Sequence, residues 1–249
     1  MKALGIDIGG SGIKGAIVDT TRGKLATERY RIKTPDPSTP GAMGRVVARI
    51  VSHFDWSGPI GCGMPGPIVR GKIMTATNID RSWIGVTAHR VFEKACRSHI
   101  TVINDADAAG LAEMRFGAGK HQRGVVVLIT LGTGIGSALF LDGKLLPNSE
   151  FGQIEIRGKH AELRASARVR KERSLSWEEY ADRLNEYLQT LEVLLWPDLI
   201  IVGGGVSSKS GKFLHRLTTA ARIVPADLRN EAGIIGAAVG AVEDKRGSR

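Results

Sequence analysis

The sequence has no long apolar run: none of its 249 residues falls in a stretch approaching the roughly 18 apolar residues needed to cross a bilayer. The amino-terminal segment, MKALGIDIGG, also lacks the unbroken apolar core of a secretory signal. The two cysteines, Cys62 and Cys96, show no CxxC spacing and no nearby pair of histidines. We therefore expect a cytoplasmic protein with no membrane partner, no disulfide framework and no zinc site.

Acidic residues are scarcer than basic ones, since 35 Lys and Arg against 25 Asp and Glu give a formal net charge of +10. This charge favours polyanionic partners, of which nucleic acid and a phosphate chain are two candidates. No helix-turn-helix extension, zinc finger or aromatic RNA-binding motif accompanies the charge, so we expect no nucleic-acid partner. The alternative is a basic surface with no specific anionic ligand.

The same order of predicted elements occurs twice, as three strand-like runs joined by glycine turns. The runs cover residues 4–8, 13–19 and 25–32, and then 125–130, 135–141 and 144–146. This repeat predicts two α/β lobes with a hinge near residues 104–120 and a ligand between them. We place one α/β lobe at residues 1–104, joined by a final helix at 232–243, and a second α/β lobe at 105–231.

Periodicity and capping signals complete the outline of secondary structure. Helices are predicted at residues 46–54, 86–96, 105–114, 176–195 and 232–242. Apolar runs predict strands at 60–64, 100–103 and 199–202, and a further helix is expected after Gly203-Gly204-Gly205. Asp105 therefore stands where a strand meets a helix, a position that favours active-site residues.

The strongest local signal is a glycine-rich turn between the first two strands, reading GIDIGGSGIKG. Its candidate phosphate-binding residues are Asp7, Gly9, Gly10, Ser11, Gly12 and Lys14. Glycines let backbone N–H groups approach phosphate oxygens closely. Asp7 could hold a Mg²⁺-bound water, Ser11 could donate to phosphate, and Lys14 could neutralise charge in the transition state. The alternative is a plain hairpin whose glycines serve only to adopt positive φ.

A second loop, TLGTGIG, lies at the equivalent place in the second repeat, and a third glycine turn follows the strand at 199–202. Their candidate phosphate- or nucleotide-binding residues are Thr130, Gly132, Thr133, Gly134, Gly204 and Gly205. Two facing loops could grip a phosphate chain from both sides, which supplies the positioning that phosphoryl transfer requires. The third loop alone could equally be a simple strand-to-helix turn.

Asp105 is the candidate general base. It follows an apolar strand in the run Asn104-Asp105-Ala106-Asp107 and could accept the proton of a hydroxyl that attacks phosphorus. Asn104 could orient a neighbouring hydroxyl. Helix capping is the alternative role for such residues, and for Asp107 we prefer it.

Taken in order, these motifs resemble those of the ROK family of sugar kinases, within the hexokinase, Hsp70 and actin superfamily, over essentially the whole chain. Residues 10–15, 104–109, 196–207 and 230–233 are more narrowly similar to the polyphosphate glucokinase subgroup. The resemblance implies an α/β protein of two ribonuclease H-like lobes, of the actin and hexokinase type, with a cleft between them. It also implies transfer of a phosphoryl group from inorganic polyphosphate, and from ATP, to the 6-hydroxyl of glucose.

The resemblance assigns further residues to the sugar. The substrate-binding set that it implies is Gly66, Asn78, Asn104, Asp105, Glu150, Gln153 and Glu162, with Asp105 as the base. Gln153 stands where the family usually has a sugar-contacting histidine, so it keeps hydrogen bonding but not titration. Glu162 replaces the glutamate that ends the zinc motif of other members, and the cysteines of that motif are absent.

The implied cofactor is Mg²⁺ bound with the phosphoryl donor, without zinc, and the implied partners are glucose, polyphosphate or ATP, and a second copy of the chain in a homodimer. An ATP-only hexose or N-acetylhexosamine kinase is the alternative. A sugar-sensing ROK regulator is less expected, because the first phosphate strand begins almost at residue 1 and leaves no room for a DNA-binding domain. An actin-like structural ATPase is less expected still.

The basic stretch at residues 164–173 could guide a long phosphate chain.

Overall fold

The computed structural model describes residues 1–247, including the side chains of residues 1–244. The chain forms two compact units. The first joins residues 1–112 to the segment that begins at Glu231, and the second is Glu113–Asn230. The division falls inside a helix, whereas the sequence placed it between residues 104 and 105, where that helix begins.

Numbered in chain order, the strands are β1 Lys2–Ile8, β2 Ile13–Asp19, β3 Lys24–Leu25, β4 Tyr30–Ile32, β5 Ile60–Met64, β6 Ile68–Val69, β7 Lys72–Ile73, β8 Thr101–Asn104, β9 Val125–Leu131, β10 Ile135–Leu141, β11 Lys144–Leu146, β12 Glu155–Ile156, β13 Lys159–His160, β14 Leu199–Gly203 and β15 Arg222–Pro225. The helices are α1 Pro40–His53, α2 Ala88–Cys96, α3 Asp105–Phe116, α4 Glu162–Ala165, α5 Ala167–Glu172, α6 Trp177–Leu195 and α7 Ala232–Gly247. Short 3₁₀ segments lie at Arg81–Trp83, Phe151–Gln153, Gly205–Lys212, Leu214–Arg216 and Arg229–Glu231.

The first unit is built on a six-stranded sheet in the order β3-β2-β1-β5-β8, with β4 also paired to β2. β1 and β2 are antiparallel, while β5 is parallel to both β1 and β8. The single third strand predicted at 25–32 is wrong, because it is divided into β3 and β4. At the break, the Thr27 hydroxyl accepts the backbone N–H of Ile17 in place of a main-chain carbonyl.

Helix α7 returns to the first sheet and packs its own backbone against β1 and β5. The β-carbon of any side chain at Gly5 or Gly61 would collide with the carbonyl oxygen of Ile234 or Ala237, respectively. The helix can approach this closely only because both strand positions lack a side chain. Ile234 and Ala238 are fully buried. The final helix predicted at 232–242 is therefore present and forms part of the first unit.

The second unit repeats the first sheet. Its five strands run in the order β11-β10-β9-β14-β15, with β9 antiparallel to β10 and β14 parallel to both β9 and β15. Each unit thus has an antiparallel meander followed by parallel strands, which is the ribonuclease H-like order. The predicted α/β fold class and its internal repeat are confirmed.

Helix α6 supplies the main apolar face that covers the second sheet. Ser176 and Glu179 form a reciprocal capping box at its start, and Trp196 ends it in the left-handed conformation, directly before Pro197. Its buried face includes Leu184, Leu188 and Leu191. The segment after Gly204 is a 3₁₀ helix rather than an α-helix, and the hydroxyls of Ser207 and Ser208 bond to main-chain carbonyls there.

Replacing Gly61 with alanine should destabilise the first unit strongly. The new β-carbon would overlap a main-chain carbonyl of α7, which cannot rotate away, so we expect a loss of about 3 kcal/mol or more in the free energy of unfolding. Urea titration followed by circular dichroism measures it. The control is Gly41→Ala in α1, where a β-carbon meets only ordinary contact and stability should be unchanged or slightly higher. Equal stability of the Gly61 variant and the wild type would contradict this packing.

Candidate active site

The carboxyl ends of three parallel strands bring the predicted catalytic residues of the first unit to one sheet edge. Asp7 in β1 pairs in register with Gly63 in β5, and Met64 pairs with Asn104 at the end of β8. Asp105 follows directly as the first residue of α3. This edge is where open α/β sheets usually bind ligands.

Asn104 fixes the junction between β8 and α3. Its Oδ1 accepts the backbone N–H groups of Ala106 at 2.8 Å and Asp107 at 2.9 Å, so Asn104 is the cap that sequence reasoning preferred to assign to Asp107. Its Nδ2 donates to the carbonyl of Gly66 at 3.1 Å. One buried amide therefore starts the helix and ties it to the predicted sugar-side turn.

Asp105 is half-buried, and its Oδ1 accepts the N–H of Ala106 at 2.9 Å. A β-carbon at Gly63 would lie 3.4 Å from the Cα of Asp105, so β5 passes directly beside the carboxylate-bearing residue. Gly66, in the turn after β5, adopts φ +95, which a residue with a side chain rarely adopts. The turn and the aspartate are thus held by the same pair of strands.

The first glycine loop connects β1 to β2. Lys14 Nζ lies 3.5 Å from Asp7 Oδ2. Burial raises the pKa of Asp7 above its ordinary value, and the neighbouring Lys14 ammonium acts in the opposite direction. None of Gly9, Gly10 or Gly12 adopts a left-handed φ. The loop is a tight turn between two antiparallel strands, but positive φ is not the reason for these glycines.

Two residues that sequence reasoning missed hold this loop. Arg31 Nη2 donates to the carbonyl of Ser11 at 2.9 Å, and the Thr34 hydroxyl donates to the carbonyl of Gly9. A β-carbon at Gly10 would lie 3.6 Å from the carbonyl oxygen of Asn78, which brings this predicted sugar contact next to the loop. Arg31 is distant from this loop in the sequence, and it is the pairing of β4 with β2 that brings it close.

In the second unit the other two glycine loops lie side by side. Gly203 at the end of β14 pairs with Thr130 in β9. Gly204 adopts φ +79, and a β-carbon there would lie 2.5 Å from the carbonyl oxygen of Leu131, so no other residue fits. The N–H of Gly132 bonds to the carbonyl of Gly134 and closes the second loop.

The outer parts of these loops are open. Thr133 and Gly205 are exposed. A β-carbon at Gly132 or Gly205 would have no neighbour within 4 Å, which leaves room for a ligand at the backbone of both loops. The backbone N–H of Arg168 donates to the carbonyl of Gly132 at 3.1 Å, so α5 also lies against the second loop.

The predicted sugar-binding residues of the second unit include Glu162, whose side chain is buried, with the residue only 4% exposed. Gln153 Nε2 donates to Glu162 Oε1 at 2.9 Å. The phenol of Tyr187 is buried nearby, and its pKa is raised first by burial and then by the charges of Glu150 and Glu162. Tyr187 belongs to the apolar spacing of α6, so its sequence pattern gives no sign of a polar neighbourhood.

The basic stretch at residues 164–173 is only partly available to an anion. Arg164 forms an ion pair with Glu186 at 2.6 Å, and the guanidinium of Arg170 lies 3.6 Å from the ring centre of Trp177. These two arginines therefore have structural partners. Lys171 and Arg173 are exposed.

Across the part of the chain with described side chains, no three histidine, cysteine, aspartate or glutamate residues cluster as a metal cage. Over the same residues no helix has the length and apolarity of a membrane span.

Residues 3–156 match the profile of the ROK family. The chain belongs to the ROK family. It is 46% identical over 242 residues to a polyphosphate glucokinase of Mycobacterium tuberculosis, an alignment covering 97% of this chain and 91% of that relative. A crystal structure of an inorganic polyphosphate/ATP-glucomannokinase from Arthrobacter sp. strain KM matches with a TM-score of 0.95, 46% identity and coverage of 98% and 99%.

A more distant ROK relative is the glucokinase of Streptomyces griseus, solved in complex with glucose and AMPPNP. It matches with a TM-score of 0.85 and 25% identity, over 98% of this chain and 100% of that one. The ROK family assignment made from the motifs is therefore confirmed, and so is the narrower similarity to polyphosphate glucokinases.

The two roles of the Asn104 amide can be separated by substitution. Asn104→Asp keeps the oxygen that caps α3 but loses the donor to Gly66, whereas Asn104→Ala loses both. We expect Asn104→Ala to lower the free energy of unfolding by about 1–3 kcal/mol, and Asn104→Asp to lower it by less. Thermal unfolding of both variants measures the difference. An alanine variant as stable as the wild type would show that none of these three hydrogen bonds contributes to stability.

Proposed function

We propose that this ROK protein is a glucokinase that transfers a phosphoryl group from inorganic polyphosphate, and also from ATP, to the 6-hydroxyl of glucose. One observation carries the proposal: Asp105 is the first residue of α3, which begins at the same edge of the sheet as the loop after Asp7. A base next to a phosphate loop is the arrangement that transfer to a hydroxyl requires. The similarity to named polyphosphate glucokinases supports the choice of donor and acceptor.

In the proposed reaction Asp105 accepts the proton of the glucose 6-hydroxyl while that oxygen forms a bond to the terminal phosphorus. The bond from this phosphorus to its bridging oxygen breaks, and the electron pair leaves with the shortened polyphosphate or with ADP. The products are glucose 6-phosphate and a donor one phosphoryl group shorter. No oxidant or reductant takes part.

Glucose would be held by hydrogen bonds from polar side chains and backbone groups. The proposed contacts are Gly66, Asn78, Asn104, Glu150, Gln153 and Glu162, together with Asp105. Carboxylates and amides suit a ring of sugar hydroxyls because they accept and donate in fixed directions. The Asn104 amide has one remaining N–H for such a contact, since its other polar positions bond within the protein. Gln153, bonded to Glu162, would contribute without changing its charge with pH.

The donor would lie along the glycine loops. Ser11 and the backbone of Gly9, Gly10 and Gly12 would bind phosphate in the first unit, as would Thr130, Gly132, Thr133, Gly134, Gly204 and Gly205 in the second. Lys14 would offset the negative charge of the transferred group. Open backbone at Gly132 and Gly205 supports this role.

Mg²⁺ would accompany the phosphoryl donor. Mg²⁺ is usually held by one or two carboxylates, several waters and substrate phosphates, and the single partly exposed carboxylate of Asp7 beside the first loop fits that pattern. When bound, the ion would neutralise charge on the donor phosphates. Zinc is not part of the proposal.

We further propose a cytoplasmic homodimer. Val193, Leu194 and Trp196, at the end of α6, are 69%, 61% and 72% exposed, which is unusual for such large apolar side chains. Burial against a second copy would remove this surface from water.

The proposed base is tested by Asp105→Asn. The amide cannot accept the hydroxyl proton, so kcat should fall by about 10²- to 10⁴-fold while glucose still binds. A coupled assay of glucose 6-phosphate measures kcat, and titration calorimetry measures glucose affinity. Asp55→Asn is the control, because this exposed position has a left-handed backbone that asparagine tolerates. Near-normal kcat in the Asp105 variant would refute its role as the base.

The donor and acceptor are tested with polyphosphate, ATP and GTP against glucose, mannose and N-acetylglucosamine. We expect glucose phosphorylation with polyphosphate and with ATP, and none when Mg²⁺ is chelated. Turnover with ATP but not polyphosphate would favour the ATP-only alternative. Preference for N-acetylglucosamine would favour a hexosamine kinase, and turnover of no sugar with any donor would refute the proposed function.

A further inference from the structure

The guanidinium of Arg31 occupies the space that a side chain at Gly12 would fill. A β-carbon at Gly12 would lie 2.5 Å from Nε, 2.7 Å from Nη2 and 2.8 Å from Cζ of Arg31. The backbone of Gly12 has no left-handed φ that would itself require glycine. The glycine is therefore explained by the arginine that lies against it.

Strand pairing places this arginine opposite another cation. Arg31 in β4 pairs in register with Lys14 in β2, so their side chains start from the same face of the sheet. Like charges directly opposite one another destabilise a sheet unless an anion lies near. Lys14 has Asp7 at 3.5 Å, but Arg31 has no ion pair among the side chains that the structure describes.

Most of the hydrogen-bonding capacity of Arg31 is unused. Its Nη2 donates to the carbonyl of Ser11 at 2.9 Å, and this is its one side-chain hydrogen bond within residues 1–244. The side chain is exposed, so the remaining N–H donors face solvent beside the loop. A planar guanidinium with free donors is well suited to bind phosphate oxygens in pairs.

We propose that Arg31 is a donor-binding residue of the first glycine loop, contacting phosphate oxygens of polyphosphate or ATP, and that residue 12 is glycine in order to seat its guanidinium. This rests on the proposed phosphotransfer function. Arg31 both fixes the loop through Ser11 and supplies the positive charge that complements Lys14. The phosphate oxygens of the donor would supply the negative charge that pairs with the guanidinium of Arg31.

The first test compares Arg31→Met with Arg31→Lys. Loss of a charged hydrogen bond to phosphate should raise the KM for polyphosphate and for ATP by about 10- to 100-fold in Arg31→Met, and by less in Arg31→Lys, which keeps the charge. The KM for glucose should stay within about twofold. Lys24→Met is the matched control, since it removes one exposed cation from the same sheet at the other end of β2. A lower kcat with unchanged donor KM in both Arg31 variants would overturn donor binding.

The second test is a double-mutant cycle with Gly12→Ala. Because the three atoms nearest to the new β-carbon all belong to the end of a flexible arginine side chain, this variant should fold and should raise the donor KM about as much as Arg31→Met. Combined with Arg31→Met, it should add less than about a twofold change. Fully additive effects on the donor KM would show that Gly12 acts on phosphate binding independently of Arg31. They would overturn the proposal that residue 12 is glycine in order to make room for Arg31.

A binding measurement separates this proposal from the proposed function. Calorimetric titration with sodium tripolyphosphate should give a Kd about 10-fold or more weaker for Arg31→Met than for the wild type and for Lys24→Met. If the wild type phosphorylates no sugar yet this difference appears, the function fails and the Arg31 site stands. If the wild type phosphorylates glucose and all three proteins bind tripolyphosphate equally, the Arg31 proposal fails alone.

Discussion

The first unit depends on the direct contact between the backbone of α7 and two strands of the sheet. Gly5 in β1 and Gly61 in β5 admit the carbonyls of Ile234 and Ala237, and Gly236 in turn lies against the carbonyl of Ala108 in α3. Three glycines thus bring a helix into contact with both central strands and with the helix that carries Asp105. The positions of β1, β5 and α3 relative to one another follow from this contact, and the sheet edge with Asp7 and Asp105 follows from those positions.

Within this packed unit, a few side chains fix the positions of the first glycine loop and of Asp105. The amide of Asn104 joins α3 to the turn at Gly66, and Thr34 and Arg31 hold carbonyls of the first loop. Each bond uses a side chain from one element to fix the backbone of another. The loop and the proposed base, Asp105, are therefore held in place by contacts within the first unit, which would lower the entropic cost of binding a ligand.

Most of the architecture could be predicted from the sequence, because apolar periodicity and glycine turns repeat in both halves. The break between β3 and β4 could not, since it depends on the Thr27 hydroxyl replacing a carbonyl of the ladder. The 3₁₀ form of the segment after Gly204 was missed because serine hydroxyls compete for its carbonyls.

The candidate site was predicted where its residues lie next to each other in sequence, as in the loop at Gly9 and the run at Asn104. Arg31 and Tyr187 were missed because only tertiary contacts bring them there: one through strand pairing, the other through the packing of α6. The replacement of a family histidine by Gln153 could be recognised from the sequence, but the hydrogen bond of Gln153 to Glu162 could not. Motifs identify site residues that are adjacent in the sequence, and tertiary contacts bring the remaining ones to them.

The return of α7 to the first sheet sets an order for folding during synthesis. Residues 113–230 form one continuous segment and can complete their own sheet as soon as they leave the ribosome. Residues 1–112 emerge earlier, but their central strands stay uncovered until α7 is made. The first unit is thus completed only after the second, and its uncovered strands are open to aggregation in the meantime.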